Sequence, residues 1–305
     1  MNETVIKTLN LTKKFGSAVV VNNLNLEIKK GELYGLVGPD GGGKSTVLRM
    51  LAAIMDPDSG EAWVAGHSVL SKGEMIKEKI GYMSQKFGLY EDLTVMENIT
   101  FYADLYEVPK KERPERTERL LGFSNLTPFK DRLAGKLSGG MKQKLGLTCA
   151  LIHTPEVLFL DEPTNGVDPV SRRDFWRILY DLIKEEVTIF VSTSYLDEAE
   201  RCTRVGLMHN GVILMEDNPM AVRKSLGLPM VEIWSDQARA AAEFSRKMKE
   251  VRSVGIYGDK LHIAVTSPMA LGNILSDLQK HGISIRGYRQ IVPSLEDIFI
   301  AMVEK

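Results

Sequence analysis

The run Gly38-Pro39-Asp40-Gly41-Gly42-Gly43-Lys44-Ser45 constrains this chain more than any other stretch. It fits G-x-x-x-x-G-K-S, with the apolar strand candidate Leu33–Val37 before it and residues 44–53, of helical composition, after it. A strand, a glycine loop and a helix in that order form a phosphate-binding P-loop. Its glycines let backbone N–H groups converge on phosphate oxygens, and the helix start adds partial positive charge. Lys44 reaches terminal phosphates, the Ser45 hydroxyl can ligate Mg²⁺, and Thr46 adds a donor.

Two further stretches acquire meaning beside that loop. Asp161 and Glu162 follow the apolar run Val157–Leu160, at the carboxyl end of a strand where open α/β sheets bind ligands. Side chains alternate along a strand, so the two carboxylates take two tasks: Asp161 can hold Mg²⁺ through its water shell, and Glu162 can polarise an attacking water. Ser138-Gly139-Gly140 opens a helix on which Leu145, Cys149 and Ile152 recur at helical spacing. Such a start is an ordinary N-cap when it stands alone; paired with a P-loop it is a second anion site, because bare glycines let another molecule's phosphate reach the helix terminus.

Composition narrows the partners. The 305 residues carry 39 Lys and Arg against 40 Asp and Glu, a formal net charge of −1, which argues against a general electrostatic grip on nucleic acid. Two cysteines, Cys149 and Cys202, give no zinc spacing and no disulfide framework, as expected in a reducing compartment. No stretch approaches the ~18 consecutive apolar residues of a membrane span, and the start lacks a signal peptide's apolar core.

Along the chain, strands are expected at 4–11, 18–28, 61–65 and 79–84, and helices over about 94–152, a helical subdomain inserted in an α/β body. Val157–Leu160, Ser171–Lys184 and Thr188–Val191 read strand, helix, strand, the unit of a parallel sheet. His209-Asn210-Gly211 is a hairpin signal. The pattern changes near Leu226–Pro229, giving domains 1–226 and 229–305. The second reads β at 230–234, α at 237–251, β at 254–257, β at 261–266, α at 270–281 and β at 283–292, the split βαβ of a ferredoxin-like α+β domain, with a last helix at 295–304.

The order of Gly38–Thr46, Gln85, Leu137–Met141, Leu158–Pro163 and Asn165–Asp168 resembles the ATP-binding-cassette (ABC) ATPases. The stretches Gly88–Asn98, Tyr195–Glu200 and Pro293–Phe299 resemble most the ATP-binding subunits of drug, antibiotic and sodium efflux exporters. The resemblance implies a P-loop NTPase core and a head-to-tail dimer in which each ATP lies between one subunit's P-loop and the other's Ser138-Gly139-Gly140 helix. It also implies a separate integral-membrane permease and a peripheral place on the cytoplasmic side of the cell membrane. By it, Phe15 stacks on adenine, Val20 borders the ribose, Gln85 ligates Mg²⁺ and senses the permease, and Asp168 lies at the dimer seam, although Asp168 also reads as a helix N-cap. The segment 85–98, with Phe87, Leu89, Tyr90, Leu93 and Val95, is either the groove for a permease helix or packing of the helical subdomain.

The departures are as informative. Ser194 stands where the family has a histidine that contacts the γ-phosphate. Serine is shorter and carries no imidazolium charge, and losing an aimed donor typically costs about 10²- to 10³-fold in rate. A slow site of its own, completed by a second, different ATP-binding subunit, is the expectation; a homodimer is the plainer arrangement, and a soluble ATP-gated regulator with little turnover the alternative. Met141 for the usual glutamine and Gly42 for the usual alanine are minor, and Asp40 for asparagine puts a carboxylate near phosphate.

Overall fold

A computed structural model describes residues 3–86 and 88–303. Phe87 of the expected groove and Glu304 of the expected last helix lie outside the described residues.

The first strands are long: β1 (Thr4–Phe15) and β2 (Ala18–Lys29) pair antiparallel, and β4 (Ser59–Val64) and the short β5 (His67–Ser68) complete a sheet of order β2-β1-β4-β5. β1 runs past the expected end at Leu11 because bulges absorb its irregular register, with Asn10 in the left-handed region at φ 50°. Ile6, Leu11, Leu26 and Ile28 face inward and join Val47, Leu48, Phe159 and Phe190 in one core.

The second sheet builds the site. β3 (Leu33–Val37), β6 (Ile80–Met83), β7 (Val157–Asp161), β8 (Thr188–Thr193), β9 (Arg204–His209) and β10 (Val212–Asp217) lie in the order β10-β9-β3-β8-β7-β6. β9, β3, β8, β7 and β6 are parallel. Every residue of β3, β7 and β8 is buried, which explains the apolar runs Leu33–Val37, Val157–Leu160 and Ile189–Val191 within them: strands covered on both faces have no polar side to present. The register sets Val37 opposite Thr193 and Asp161 opposite Ser192, so the P-loop, the carboxylate pair and the end of β8 emerge side by side.

The helices follow the expected order. α1 (Lys44–Leu51) leaves the P-loop, and α2 (Gly73–Lys79) precedes β6. The inserted region holds α3 (Val95–Leu105), α4 (Arg113–Ser124) and α5 (Gly139–Leu151), with 3₁₀ turns at 127–129 and 134–136. A capping box starts α3: the Thr94 side chain accepts from Glu97 N–H, and the Glu97 carboxylate accepts from Thr94 N–H. α6 (Pro169–Lys184) links β7 to β8, and α7 (Leu196–Ala199) and α8 (Pro219–Lys224) follow.

By packing, the chain divides into Met1–Tyr195 with Cys202–Ile213, and Leu196–Arg201 with Leu214–Lys305. The second unit contains β11 (Met230–Trp234), α9 (Ala238–Ser245), β12 (Val251–Tyr257), β13 (Lys260–Val265), α10 (Ala270–Lys280), β14 (Gly287–Ile291) and α11 (Leu295–Val303). Its antiparallel sheet runs β12-β13-β11-β14, the order of the split βαβ expected from sequence. Two elements are shorter than expected. The helix reaches only Ser245 instead of Val251, because Val251 is taken into the ladder opposite Val265. The last strand starts at Gly287 rather than Ile283: Gly282, at φ 75°, turns the chain off α10, and Ile283 is apolar because it is buried in the core from a loop. Among the described residues no helix is long and apolar enough to cross a membrane.

Candidate functional site

The P-loop's shape comes from close backbone approaches. A Cβ on Gly38 would lie 2.1 Å from Met208 O, and one on Gly43, at φ 101°, would lie 2.5 Å from Val20 O. Only glycine fits either place. Gly42 N–H donates to Pro39 O at 3.1 Å, closing the loop, and α1 begins at once with Lys44.

Lys44 is folded back over this loop and is 3% exposed. Its Nζ donates to Gly38 O at 2.9 Å and Pro39 O at 3.0 Å, and lies 3.3 Å from Glu162 Oε1. The other Glu162 oxygen, Oε2, accepts from Gln85 Nε2 at 3.2 Å and Asn165 Nδ2 at 3.3 Å. Glu162 itself sits at φ 48°, a left-handed conformation uncommon for a non-glycine residue, held by its N–H donating to Ser192 O and Ser192 Oγ, each at 3.1 Å. A carboxylate forced into this turn beside the loop lysine is aimed at whatever the loop binds.

Asp161 is 1% exposed and points the other way. Its Oδ1 accepts from Ser45 Oγ at 2.8 Å and Ser192 Oγ at 2.7 Å, whereas its Oδ2 is buried with no hydrogen-bond partner among the described residues. A buried carboxylate oxygen without a partner is costly unless something fills the gap. The oxygens of Asp161 and Ser45, with Gln85 one contact away on Glu162, are hard donors of the type Mg²⁺ takes, so the residues fit that ion.

A cleft of about 270 Å³ opens here, lined by Val20, residues Asp40 to Thr46, Gln85 and Glu162. It gathers most of the residues selected from sequence. Phe15 lies outside that lining, 50% exposed at the end of β1, with Lys13 Nζ 5.8 Å from its ring centroid. Ser138 caps α5 as expected, accepting from Met141 N–H at 3.3 Å. Gly139 faces open space, but a Cβ on Gly140 would meet Ser171 at 2.4 Å, so Gly140 also has a packing reason to be glycine. Asp168 is the N-cap of α6, accepting from Val170 and Ser171 N–H; the Ser171 side chain and amide hold its carboxyl below the ordinary range. Ser194, just past the end of β8, is half-buried. His153 is structural: its Nε2 is 2.9 Å from Ile80 O, it stacks on Tyr106, and burial pushes its pKa down.

The segment 85–98 splits between its two readings. Val95 is fully buried, and the Asn98 amide donates to Tyr90 O at 3.0 Å, which fastens the loop to α3. Tyr90 stays 47% exposed and meets Phe101 edge-on. A larger cleft of about 890 Å³ lies nearby, lined by Ile54, Tyr82, Leu105, Tyr106 and the charged side chains of α2.

Two site residues had no assigned part in the sequence reading. Ser192 bridges Asp161 to the Glu162 amide, and Asn165 holds Glu162 Oε2. Ser192 looks like one more position in a β-rich run, and only the register against Asp161 shows its use.

Comparisons with known proteins agree with this geometry. The family profile "ABC transporter" matches residues 21–165, and that of "ATP-binding protein DrrA1-3-like, C-terminal domain" matches 218–303. The "Probable multidrug ABC transporter ATP-binding protein YbhF" of Escherichia coli (strain K12) is 50% identical over 228 residues, 74% of this chain; the chain spans only 39% of that relative's length. The "Daunorubicin/doxorubicin resistance ATP-binding protein DrrA" of Streptomyces peucetius is 32% identical over 302 residues, 97% of this chain and 92% of that protein. Among solved structures, a dimeric ATP-binding cassette in a post-hydrolysis state bound to ADP and Pi superposes with a TM-score of 0.64 at 27% identity, covering 70% of this chain and 98% of that one.

Proposed function

The chain belongs to the ABC transporter family of ATP-binding proteins, and we propose that it binds and hydrolyses ATP to power a membrane exporter. The observation that carries this reading is the meeting of Lys44, Ser45 and Glu162 in one cleft around the P-loop, with Asp161 hydrogen-bonded to Ser45. ATP phosphates enter over the loop amides, and Lys44 exchanges Glu162 and two carbonyls for phosphate oxygens. That exchange frees Glu162 Oε1 to accept a proton from the attacking water, while Gln85 and Asn165 keep Oε2 in place. Ser45, Asp161 and Gln85 would hold Mg²⁺, which would supply neutralisation of charge on the terminal phosphates. Phe15 and Val20 take the base and ribose.

Two subunits close head to tail, so that Ser138, Gly139 and Gly140 of one reach the nucleotide on the P-loop of the other; that the similar cassette bound to ADP and Pi is dimeric supports the pairing of two subunits. Ser194 weakens the site of this chain, and the better site is formed with a different ATP-binding subunit. Residues 1–226 handle nucleotide, and 229–305 form an accessory contact surface. The permease sits in the membrane with this subunit peripheral on its cytoplasmic side, and the exposed Tyr90 and the cleft at Leu105 and Tyr106 receive it.

The test compares Mg-ATP turnover by the isolated chain, by Ser194→His, and by the chain with candidate ATP-binding partners. Expected are slow turnover alone, a gain of tenfold or more on restoring histidine, and a gain on adding the partner. Absence of any Mg-ATP binding by calorimetry overturns the ATPase reading; fast turnover by the lone wild type, unchanged by Ser194→His, overturns the unequal pair.

A further inference from the structure

We infer that Tyr195 and Asn165 are positioning residues for Glu162, forming a hydrogen-bonded relay that orients its carboxylate in a site lacking the histidine expected at position 194. The inference rests on the ATPase reading above and adds two residues to it.

The relay is continuous. Tyr195 OH donates to Asn165 Oδ1 at 3.3 Å, and Asn165 Nδ2 donates to Glu162 Oε2 at 3.3 Å. An amide is suited to the middle place, because its oxygen accepts while its nitrogen donates, so polarity passes in one direction from phenol to carboxylate. The amide orientation is fixed by its neighbours: the phenol can donate to Asn165 Oδ1, and a carboxylate can only accept.

Backbone bonds and ring contacts hold the members in place. Tyr195 N–H donates to Thr193 Oγ1 at 3.0 Å, which ties its backbone to the end of β8. The Arg172 guanidinium, on α6, covers its ring at 4.4 Å. Asn165 N–H donates to Glu162 O at 3.2 Å in a tight turn that continues through Gly166, at φ 71°, to the α6 N-cap Asp168. The turn after β7 therefore bonds this carboxylate oxygen directly through Asn165, and the residue just past β8, covered from α6, backs it through Tyr195. The opposite oxygen, Oε1, is the one paired with Lys44. Fixing Oε2 from Asn165 and Gln85 leaves Oε1 with a defined direction once Lys44 turns to phosphate. Ser194 is adjacent in sequence, but a short hydroxyl does not replace an imidazole; the longer tyrosine beside it reaches the base through the asparagine.

The test uses the full chain, with its partner subunit where turnover requires it. Tyr195→Phe removes only the hydroxyl and keeps the ring beneath Arg172. It is expected to lower kcat about tenfold, within the hundredfold that an ångström of misplacement costs, with KM for ATP and the thermal midpoint unchanged. Asn165→Leu removes both hydrogen bonds of the relay and is expected to lower kcat at least as much, and adding Tyr195→Phe to it should lower kcat no further. The relay is also read without turnover, at one pH, by the ¹³C carboxyl chemical shift of glutamate-labelled chain, with Glu162→Gln assigning the resonance, which is expected to move in Tyr195→Phe and in Asn165→Leu. Wild-type kcat in Tyr195→Phe, or additive losses in the double variant, overturns the relay. A wild type that binds Mg-ATP without turning it over, while its Glu162 resonance still moves in Tyr195→Phe, overturns the hydrolytic reading and supports the relay.

Discussion

Lys44 Nζ lies 3.3 Å from Glu162 Oε1, with side chains only 3% and 9% exposed, so the two groups we propose to hold phosphate and to polarise water form one buried ion pair. Breaking such a pair leaves a buried charge without its partner, which costs on the order of 3 kcal/mol. Glu162→Gln is expected to destabilise the nucleotide-free protein by about that amount and to lower kcat by about 10²- to 10⁴-fold. Lys44→Met combined with Glu162→Gln costs less than the sum of the two single changes. Urea denaturation of the three variants, with ATPase rates, checks both statements.

Glycines of the loop separate into two kinds. At Gly38 a methyl group would lie 2.1 Å from Met208 O, a backbone atom that cannot step aside. At Gly41 nothing lies within 4 Å, and only the φ of 76° opposes a side chain. Gly38→Ala should therefore abolish the thermal shift given by Mg-ATP and lower stability markedly, whereas Gly41→Ala should cost about 1 kcal/mol and leave binding measurable. Equal effects from both would show that loop strain, not the close approach, dominates.

The buried Asp161 Oδ2 has no partner among the described residues, and Oδ1 is held by Ser45 and Ser192. Chelation with EDTA is expected to remove most of the ATP-induced thermal shift in wild type. Asp161→Asn should behave in Mg²⁺ as wild type behaves in EDTA. Ser192→Ala should lower metal dependence and also loosen the backbone of Glu162, because one hydroxyl serves both the Asp161 carboxylate and the Glu162 amide. A Ser192→Ala protein with wild-type Mg²⁺ titration and rate would remove that residue from the site.

The second unit carries its own titrating cluster. His262 Nδ1 lies 2.9 Å from Asp297 Oδ1, and Nε2 lies 3.2 Å from Glu232 Oε2. Burial opposes the imidazolium, but the bonds and charges of Asp297 and Glu232 outweigh it and hold the pKa above the ordinary 6.5. Glu296, Tyr257, Lys260 and Arg289 complete the surroundings. A raised folded-state pKa contributes stability that is whole below about pH 6.5 and lost as pH rises through the folded value. His262→Asn is therefore expected to flatten the fall of the unfolding midpoint between about pH 6 and 8. Parallel slopes for wild type and variant would show that the cluster is not linked to folding.

The central sheet was legible because its signals are local. Leu33–Val37, Val157–Leu160 and Thr188–Val191 are short, β-rich and bounded by turn residues, and they became β3, β7 and β8 within one or two residues. The second unit was less legible at its ends. Ile283 and Val251 are both apolar, yet one fills a core from a loop and the other starts a strand, and neither difference is written in nearest neighbours.

What the sequence determined by itself is the chemistry on offer: the glycine loop marks the phosphate site that we propose, and Asp161 and Glu162 stand next to one another after an apolar run. What only the tertiary structure decided is how these groups are held. The register of β7 against β8 places Ser192 between the Asp161 carboxylate and the Glu162 amide, and a turn far from Tyr195 in sequence carries Asn165 to the same oxygen as Gln85. The physical reason is range. Backbone conformation responds to a few neighbouring residues, whereas the direction of a buried carboxylate depends on donors that reach it only when separate strands and helices pack together.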